Sequence, residues 1–398
     1  MKRILLLGGS DLQVSFIKKA KALGVYVITC DYLPNNPGHQ FADEYYNVST
    51  TDKEAVLNLA SKLNLDGISA YASDPAATTA ACVGEHLGLP VNPYNAVEIL
   101  SRKDLFRQFL EKHNFNTPEA SDFNDYQSAK TFIDQLQKKA IIKPVDSSGS
   151  KGIFTIVPNQ NFENEFESAL GFSRCGKVIV EEFIEKQGFQ IGGDGFLVNG
   201  ELVFRCFGDI HFSSTNPLLP CSVSVPTLHT KDITDKVHRE IQRLMTLLGM
   251  KQGGLNFDII IDSDNQIHII EIGPRNGGNM LPELIEHCTG VDMKLYAIKS
   301  CLGEDCSDLR MTSEKHYFSH YVVHSLESGV LQGIETSETL KNHLIYEHYR
   351  VGNGDPINRF ENSSNRLGMF LLKYNNKDEM LDIIDNMHEH LKFQFNES

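Results

Sequence analysis

The segments NFDIIID (residues 256–262) and QIHIIEIG (266–273) decide the expected fold, because two isoleucine-rich runs joined by a short polar turn are typical of an antiparallel hairpin. Asp258 and Glu271 are 13 positions apart (271 − 258), so pairing would place their carboxylates side by side. Such a pair inside apolar strands is costly unless a hard cation lies between the carboxylates, and magnesium meets that need. The alternative interpretation is a plain charge on an edge strand.

A lysine and a loop of small residues lie upstream of this hairpin. Lys143 ends the apolar strand AIIK (140–143), and the loop SSGSKG (147–152) follows it. Small residues let backbone N–H groups close around phosphate oxygens, which indicates a phosphate-binding loop. The alternatives are a flexible turn and a solvated lysine, and the loop lacks the frame of a P-loop.

Arg275 and Asn276 follow the hairpin in the segment GPRNGGN (273–279). A guanidinium beside a metal site can offset the negative charge that develops during phosphoryl transfer. The alternative is an arginine that only caps a loop.

The first 93 residues repeat a strand–helix–strand pattern. The strand ILLL (4–7) ends at Gly8 and Gly9, and a helical pattern and the strand GVYVITCD (24–31) come next. This alternation predicts a parallel sheet with helices on both faces. Ligands gather at the carboxyl ends of such strands, which makes Asp74 a candidate substrate residue, although it equally suits the N-cap of a helix.

The pattern changes after residue 93, so the predicted fold class is α/β combined with α+β in a multidomain chain. We predict an α/β domain over residues 1–93 and a connecting helix over 94–117. A small α+β unit with a flexible loop follows over 118–185, and a mostly antiparallel sheet with one covering helix over 186–302. The chain ends in an α+β region over 303–398.

Composition excludes several classes of protein. The 398 residues are 41% hydrophobic and 22% charged, which is typical of folded globular chains. A net charge of −15 opposes binding to nucleic-acid backbones, so no nucleic-acid partner is expected. No apolar run approaches the ~20 residues of a membrane span. We therefore predict a cytoplasmic protein without a membrane partner.

The eight cysteines are scattered and are expected to be free thiols. Cys301, Cys306, His316 and His320 follow the order of a zinc finger, but nine residues separate the two pairs, where a finger has about twelve. We therefore do not expect a zinc site.

The order IIKP, SSGSKG, VEEFI, NFD and EIGPRNGGN resembles the ATP-grasp superfamily, especially members similar to the carbamoyl-phosphate synthase large chain, biotin carboxylase and the purine-pathway ligases. The similarity runs from about residue 1 to 390. It implies a Rossmann-like N-terminal domain, then an ATP-grasp fold with a mobile lid over 118–185 and a catalytic subdomain over 186–302.

The resemblance also implies residue roles. Lys103 and Lys143 would reach the ATP phosphates, Asp258 and Glu271 would bind magnesium, and Arg275 would face the transferred phosphoryl group. The loop that closes on the phosphates would use Ser148, Gly149, Ser150, Lys151 and Gly152. The hinge that binds adenine would be Glu181, Glu182, Phe183 and Ile184.

Two positions depart from the family pattern. A glutamate near the ribose is replaced by Gln190, and the asparagine two residues after the last metal carboxylate is replaced by Gly273. Asn276 or Asn279 would then supply the missing oxygen, and a site for one ion is conceivable.

The implied reaction uses ATP and Mg²⁺: a small carboxylate becomes an acyl phosphate, and an amine then displaces the phosphate. Acceptor candidates are Arg205 as a carboxylate clamp and His211 as a proton acceptor. Both lie in FRCFGDIHFSSTNPLLPCSVSVPT (204–227), where a strand precedes a Pro-flanked loop. Gly8 and Gly9 would contribute the turn beside the acceptor site.

Three other functions remain as alternatives. The first is carboxylation through carboxyphosphate. The second is an NAD(P)-dependent oxidoreductase, since Asp31 lies 23 residues after Gly8 (31 − 8), although GGSDLQ is not GxGxxG. The third is a non-catalytic nucleotide-binding protein, which would not need the phosphoryl-transfer residues. A homodimer is the expected assembly.

Overall fold

The computed structural model describes residues 1–396, and it begins with a four-stranded parallel sheet of order β3-β2-β1-β4. Four of the five residues of the central strand are buried, because helices cover both faces of the sheet. The elements in chain order are β1 (Arg3–Leu7), α1 (Val14–Ala22), β2 (Tyr26–Cys30), β3 (Glu44–Tyr46), α2 (Lys53–Ala60), β4 (Gly67–Ser69) and α3 (Asp74–Leu87).

Two helices lead from this sheet into a small antiparallel sheet of order β5-β8-β6-β7. The elements are α4 (Tyr94–Ser101), α5 (Lys103–Lys112), β5 (Ala120–Phe123), α6 (Tyr126–Leu136), β6 (Ala140–Pro144), β7 (Phe154–Ile156), α7 (Glu163–Gly171) and β8 (Val178–Glu182). Helices α6 and α7 and the strands of the small sheet share one apolar core.

The centre of the protein is built on long antiparallel strands. Its elements are β9 (Gln190–Val198), β10 (Glu201–Ser213), β11 (Asn216–Val225), α8 (Lys231–Leu248), β12 (Gly253–Ile261), β13 (Ile267–Gly273), α9 (Leu281–Thr289) and α10 (Met293–Cys301). Residues buried on α8 share a core with the central strands and with the N-terminal sheet.

The C-terminal region adds β14 (Tyr317–Val323), β15 (Gly329–Thr336), α11 (Glu338–Lys341), β16 (Leu344–Tyr349), β17 (Pro356–Ile357), β18 (Gly368–Tyr374), α12 (Lys377–Asp385), α13 (Met387–His390) and β19 (Leu391–Phe395). Three of these strands extend the central sheet to eight strands, in the order β13-β12-β9-β10-β11-β14-β18-β16. A separate three-stranded sheet has the order β17-β15-β19.

This architecture confirms the predicted fold class. One local expectation was wrong: the residues expected to form a Pro-flanked loop form β11, the second arm of a long hairpin with β10. Pro220 pairs with Phe212 between two register shifts, so the hairpin accommodates the proline at an irregular position of the ladder. Among the helices of residues 1–396, none is long and apolar enough to cross a membrane.

Candidate active site

A cavity of about 740 Å³ lies between the small sheet, the central sheet and the N-terminal sheet. Its size falls within the roughly 300–1,000 Å³ of small-molecule sites. The residues of its wall include most of those that the sequence singled out, namely Asp74, Lys103, Lys143, Ser148, Gly149, Ser150, Lys151, Glu181, Glu182, Phe183, Ile184, Gln190, Asp258, Glu271 and Arg275.

Lys143, near the end of β6, is held by a buried carboxylate. Its Nζ lies 2.8 Å from Oε2 of Glu181, and Nε of Arg107 lies 3.1 Å from Oε1 of the same side chain. Burial alone would raise the pKa of Glu181, but the two cations outweigh it and lower that pKa to about 2. Burial lowers the pKa of Lys143, against the opposing effect of Glu181. The carboxylate therefore fixes the position of a lysine that faces the cavity.

Arg107 is absent from the sequence-based candidates, although the sequence contains a signal for it. It follows Lys103 by four positions on α5, and this spacing puts both cations on one face of the helix. Arg107 is only 4% exposed and also donates to the carbonyl of Ile270, so it joins α5 to β13.

Lys103 connects the start of α5 to the phosphate-type loop. Its Nζ donates to the carbonyl of Ser147 (2.7 Å) and lies 3.8 Å from Oε2 of Glu271. The backbone N–H of Lys103 donates to the carbonyl of Val145 (2.9 Å). The second predicted lysine thus lies at the same end of the cavity as the paired carboxylates.

The loop 147–152 is folded down over the cavity. Gly149 has φ +71°, a conformation that favours glycine, and its carbonyl accepts a hydrogen bond from the N–H of Ser363 (3.1 Å). Ser150 Oγ donates to the carbonyl of Leu218 (3.4 Å). Gly152 does not line the cavity, because it turns the loop against α7 at Ala169. Both the C-terminal region and the β10–β11 hairpin therefore hold the loop closed.

The predicted hinge comprises the last two residues of β8 and the two residues after it, and it lines the cavity. The N–H of Glu182 donates to the carbonyl of Glu119 (2.8 Å), and the N–H of Phe183 donates to the carbonyl of Lys139 (2.9 Å). Lys139 Nζ also lies 3.7 Å from the ring centroid of Phe183. The backbone N–H of Ile184, by contrast, has no protein acceptor within residues 1–396.

Asp258 and Glu271 are direct neighbours across β12 and β13, as the hairpin pattern predicts. Burial raises the pKa of Asp258 to about 6, and the charge of Glu271 adds to the rise. Gln190, at the start of β9, donates its amide to Asp258. Burial and the neighbouring carboxylate thus outweigh the opposing effects of the Gln190 amide and of the more distant Lys143 and Arg107.

The donor set at this hairpin fits magnesium. It consists of hard oxygen donors, and within residues 1–396 Asp258 has no cationic side chain within 4.0 Å. No three His, Cys, Asp or Glu side chains of that range converge on one point, so phosphate oxygens would have to complete the coordination of an ion. Asp258 and Glu271 would hold a Mg²⁺ ion, which would supply positive charge at this end of the cavity.

Arg275 pairs with Asp74, at the start of α3 in the N-terminal domain, and both side chains line the cavity. The arginine is 12% exposed at its side chain, so the ion pair forms a partly buried joint between the two domains. The structure thus places the candidate substrate residue Asp74 and the candidate catalytic residue Arg275 at the same cavity.

The two asparagines of GPRNGGN are placed differently. Asn276 is 2% exposed, does not line the main cavity, and donates to the buried carboxylate of Asp194 (3.3 Å). Asn279 lines the cavity and accepts a hydrogen bond from Arg366 (3.1 Å). Of the two candidates, the structure therefore brings Asn279 and not Asn276 to the cavity.

Asp194 and Arg366 are the further residues that sequence reasoning missed. Asp194 is fully buried on β9, accepts the N–H of Gly277 (2.8 Å), and has a pKa raised by burial to about 6. Arg366 donates to Asp11 (2.6 Å), which follows β1. Both act through contacts between segments far apart in sequence, which no local pattern contains.

Gly8 and Gly9 lie beside the cavity but do not line it. A Cβ at Gly8 would be 2.3 Å from the side chain of Gln13, and one at Gly9 would be 2.2 Å from the ring of His39. His39 therefore fills the space above the glycine turn where a dinucleotide pyrophosphate would have to lie. This packing argues against the oxidoreductase interpretation.

Arg205 and His211 also lie away from the main cavity. Arg205 pairs with Asp235 of α8 (3.1 Å) on the far side of the sheet. His211 is 6% exposed, and its Nε2 lies 2.9 Å from Oγ of Ser224. The strand β10 directs these side chains to other surroundings, so the two acceptor roles expected from the sequence lack a geometric basis.

The comparisons with known proteins agree with this geometry. Residues 100–279 match the family model described as an ATP-grasp domain. The formate-dependent phosphoribosylglycinamide formyltransferase of Rhodococcus jostii is 29% identical over 189 residues, which are 46% of this chain and 46% of that enzyme. The alignment thus spans about half the length of the relatives that this chain matches.

Two solved structures show the same fold over the whole chain. Phosphoribosylglycinamide synthetase from Anaerococcus prevotii has a TM-score of 0.76 at 24% identity and covers 99% of this chain and 100% of its own. L-amino acid ligase from Bacillus licheniformis has a TM-score of 0.82 at 18% identity and covers 100% of this chain and 99% of its own. At these identities the likeness establishes the fold.

Proposed function

Because residues 100–279 of this chain form an ATP-grasp domain, we propose that the protein is an ATP- and Mg²⁺-dependent ligase that joins a small carboxylate to an amine. The carboxylate attacks the γ-phosphorus of ATP, giving ADP and an acyl phosphate. The amine then attacks the acyl carbon and releases phosphate.

One observation carries the proposal. The paired carboxylates Asp258 and Glu271, the lysines Lys103 and Lys143, and residues 147–151 of the closed loop all line one cavity. A site that only bound adenine would need the hinge and an apolar slot. Cations and acidic metal ligands at one end of the same cavity are the groups that phosphoryl transfer requires.

The protein's own residues contribute chiefly position and charge. Lys143, fixed by Glu181, would neutralise phosphate oxygens of ATP, and Lys103, whose backbone N–H is bonded to Val145, would do so from the same end of the cavity. Arg275 would face the γ-phosphoryl group while it is transferred. Magnesium, held by Asp258 and Glu271, would supply charge neutralisation between the phosphates.

The closed loop would protect the intermediate, because an acyl phosphate hydrolyses when water reaches it. The N–H groups of the loop would cover the β- and γ-phosphates, and the contacts of Gly149 and Ser150 would hold the loop in place. Asp74 lies beside Arg275 and can accept a proton or hydrogen bond from the amine.

The test is ADP release from Mg²⁺-ATP across a matrix of small carboxylates with and without amines. Formate and a phosphorylated amine belong in the matrix because of the activity named for the Rhodococcus relative, and amino acids because of the Bacillus ligase. Bicarbonate tests carboxylation. Turnover that needs both an acid and an amine is the expected result.

Matched variants locate the activity. Glu271→Gln removes a carboxylate of the hairpin inside the cavity, and Asp264→Asn removes an exposed one in the turn of the same hairpin. We expect turnover to vanish in the first variant and to persist in the second. Full activity in Glu271→Gln would refute the site, and ADP release without an acid would refute the ligase.

Two further expectations stay predictions, namely a cytoplasmic location and a homodimer. Sedimentation equilibrium of the full chain tests the assembly, and a single species at the monomer mass would contradict it.

A further inference from the structure

A second cavity, of about 580 Å³, lies between the β10–β11 hairpin and the C-terminal helices and strands. Its wall includes His211, Cys221, Tyr321, His324 and Phe393. Its volume is within the range of small-molecule sites, and none of the roles proposed for the ligase reaction uses it.

Two buried histidines of this wall each have a ring nitrogen without a protein partner. His324 is 8% exposed, and its Nδ1 lies 2.7 Å from the carbonyl of Val322, so that nitrogen carries the proton and donates it. Its Nε2 is then a bare acceptor, with no hydrogen bond from residues 1–396. His211 is 6% exposed and uses Nε2 toward Ser224, which leaves Nδ1 without a partner in the same range.

The two imidazoles are neutral near pH 7. Burial, aided by the charge of Lys186, lowers the pKa of His211 to about 4. Burial also lowers the pKa of His324. A neutral imidazole nitrogen that has no protein partner and lines a cavity can pair with a polar group of a ligand inside that cavity.

The rest of the wall restricts the shape and charge of a ligand. His324 stacks on Tyr321 and on Phe360, with ring centroids 5.5 and 4.2 Å apart, so its plane is fixed. Glu327 and Asp385 outnumber Lys392 among the charged lining residues. This balance disfavours phosphates and carboxylates.

A metal ion does not explain the cluster. Within the part of the chain that the structure describes, no three His, Cys, Asp or Glu side chains are placed to share one ion. The Cys221 thiol is also engaged, because its Sγ lies 3.5 Å from the carbonyl of His211. The ligand is therefore a molecule with its own hydrogen-bond donors.

We propose that this cavity binds a planar heteroaromatic molecule that is neutral or singly positive and carries N–H donors. The ring would lie among the aromatic side chains, and an N–H group would donate to the bare Nε2 of His324, while the free Nδ1 of His211 would make a second polar contact. The inference does not depend on the proposed ligase activity.

The site adjoins the main cavity through one side chain. Phe212 lines both cavities, and Nζ of Lys186 lies 4.0 Å from its ring centroid on the side of the main cavity. A ligand that moves Phe212 would change the surroundings of Lys186, which lines the main cavity.

The test uses isothermal titration of the full chain with 2-aminobenzimidazole and, separately, with benzoate, which has a similar size and the opposite character. We expect the amine to bind at least tenfold more tightly than benzoate. His324→Leu and His211→Leu should each weaken the amine at least tenfold, which is about 1.4 kcal/mol. His348→Leu, which changes an exposed histidine of β16, should leave affinity unchanged.

Ser214→Trp gives a test that leaves the core intact, because it places a large ring at an exposed position of the cavity wall. Binding of the amine should be lost in this variant while its circular dichroism matches the parent. Equal affinity for benzoate, unchanged affinity in Ser214→Trp and the leucine variants, full displacement by ADP, or no binding to the parent would each overturn the proposal.

Discussion

Replacing Glu181 by glutamine should destabilise the protein in a pH-dependent way. Glutamine keeps the shape of a protonated glutamate but removes the charge that Lys143 and Arg107 share at 2.8 and 3.1 Å. Two cations would then lie in a buried wall without a counterion. The loss should exceed that at an ordinary surface ion pair several-fold.

The magnitude follows from the pKa of Glu181, which falls from 4.5 to about 2 in the folded protein. Each tenfold change in proton affinity corresponds to about 1.4 kcal/mol, so the ionised side chain contributes about 3 kcal/mol at pH 7. A depressed pKa makes this contribution complete above the unfolded value near 4.5 and lost as the pH falls through about 2. At pH 3 only about 1 kcal/mol should remain.

The assay is denaturant unfolding followed by circular dichroism at pH 7 and pH 3. Glu182→Gln is the matched control, because the adjacent Glu182 pairs with Lys138 at the surface and should contribute less than about 1 kcal/mol at either pH. Similar losses in both variants would refute the reasoning. A loss in Glu181→Gln that is the same at both pH values would refute it as well.

Three further variants probe the cavity. Glu271→Ala should abolish turnover and leave the circular dichroism unchanged, and retained activity would contradict the metal assignment. Lys143→Ala should raise the KM for ATP at least tenfold, and an unchanged nucleotide dependence would place the phosphate lysine elsewhere. Gly149→Ala should raise the KM for ATP more than Gly176→Ala does. Both glycines have a φ near +70°, so either substitution adds about 1 kcal/mol of backbone strain. Only at Gly149 would the new Cβ also clash with Oγ of Ser363, at 2.1 Å.

The sequence predicted the central hairpin because its pattern is local. Asp258 and Glu271 lie on two strands joined by a short turn, so their pairing depends on one register. Lys143 was found for a similar reason, since it ends a short apolar strand before a loop of small residues. In both cases the neighbouring residues contain the information.

The sequence misplaced residues whose surroundings come from distant segments. Arg205 and His211 lie on a 13-residue strand that continues into a hairpin, but the prolines after it suggested a loop that faces the cavity. Asn276 is a plausible ligand by its position in the sequence, but its amide donates to the buried Asp194, 82 positions earlier. A hydrogen bond between two buried polar side chains that lie far apart in the sequence leaves no local sequence pattern.

Two ion pairs described above determine when the cavity can form during synthesis. Arg275 reaches back to Asp74, and Arg366 reaches back to Asp11, 355 positions earlier. Ribosomes add about 5–20 residues per second, so Asp74 waits roughly 10–40 s for Arg275, and Asp11 waits roughly 20–70 s for Arg366. The nascent protein therefore has its carboxylate hairpin before it has the wall that completes the cavity.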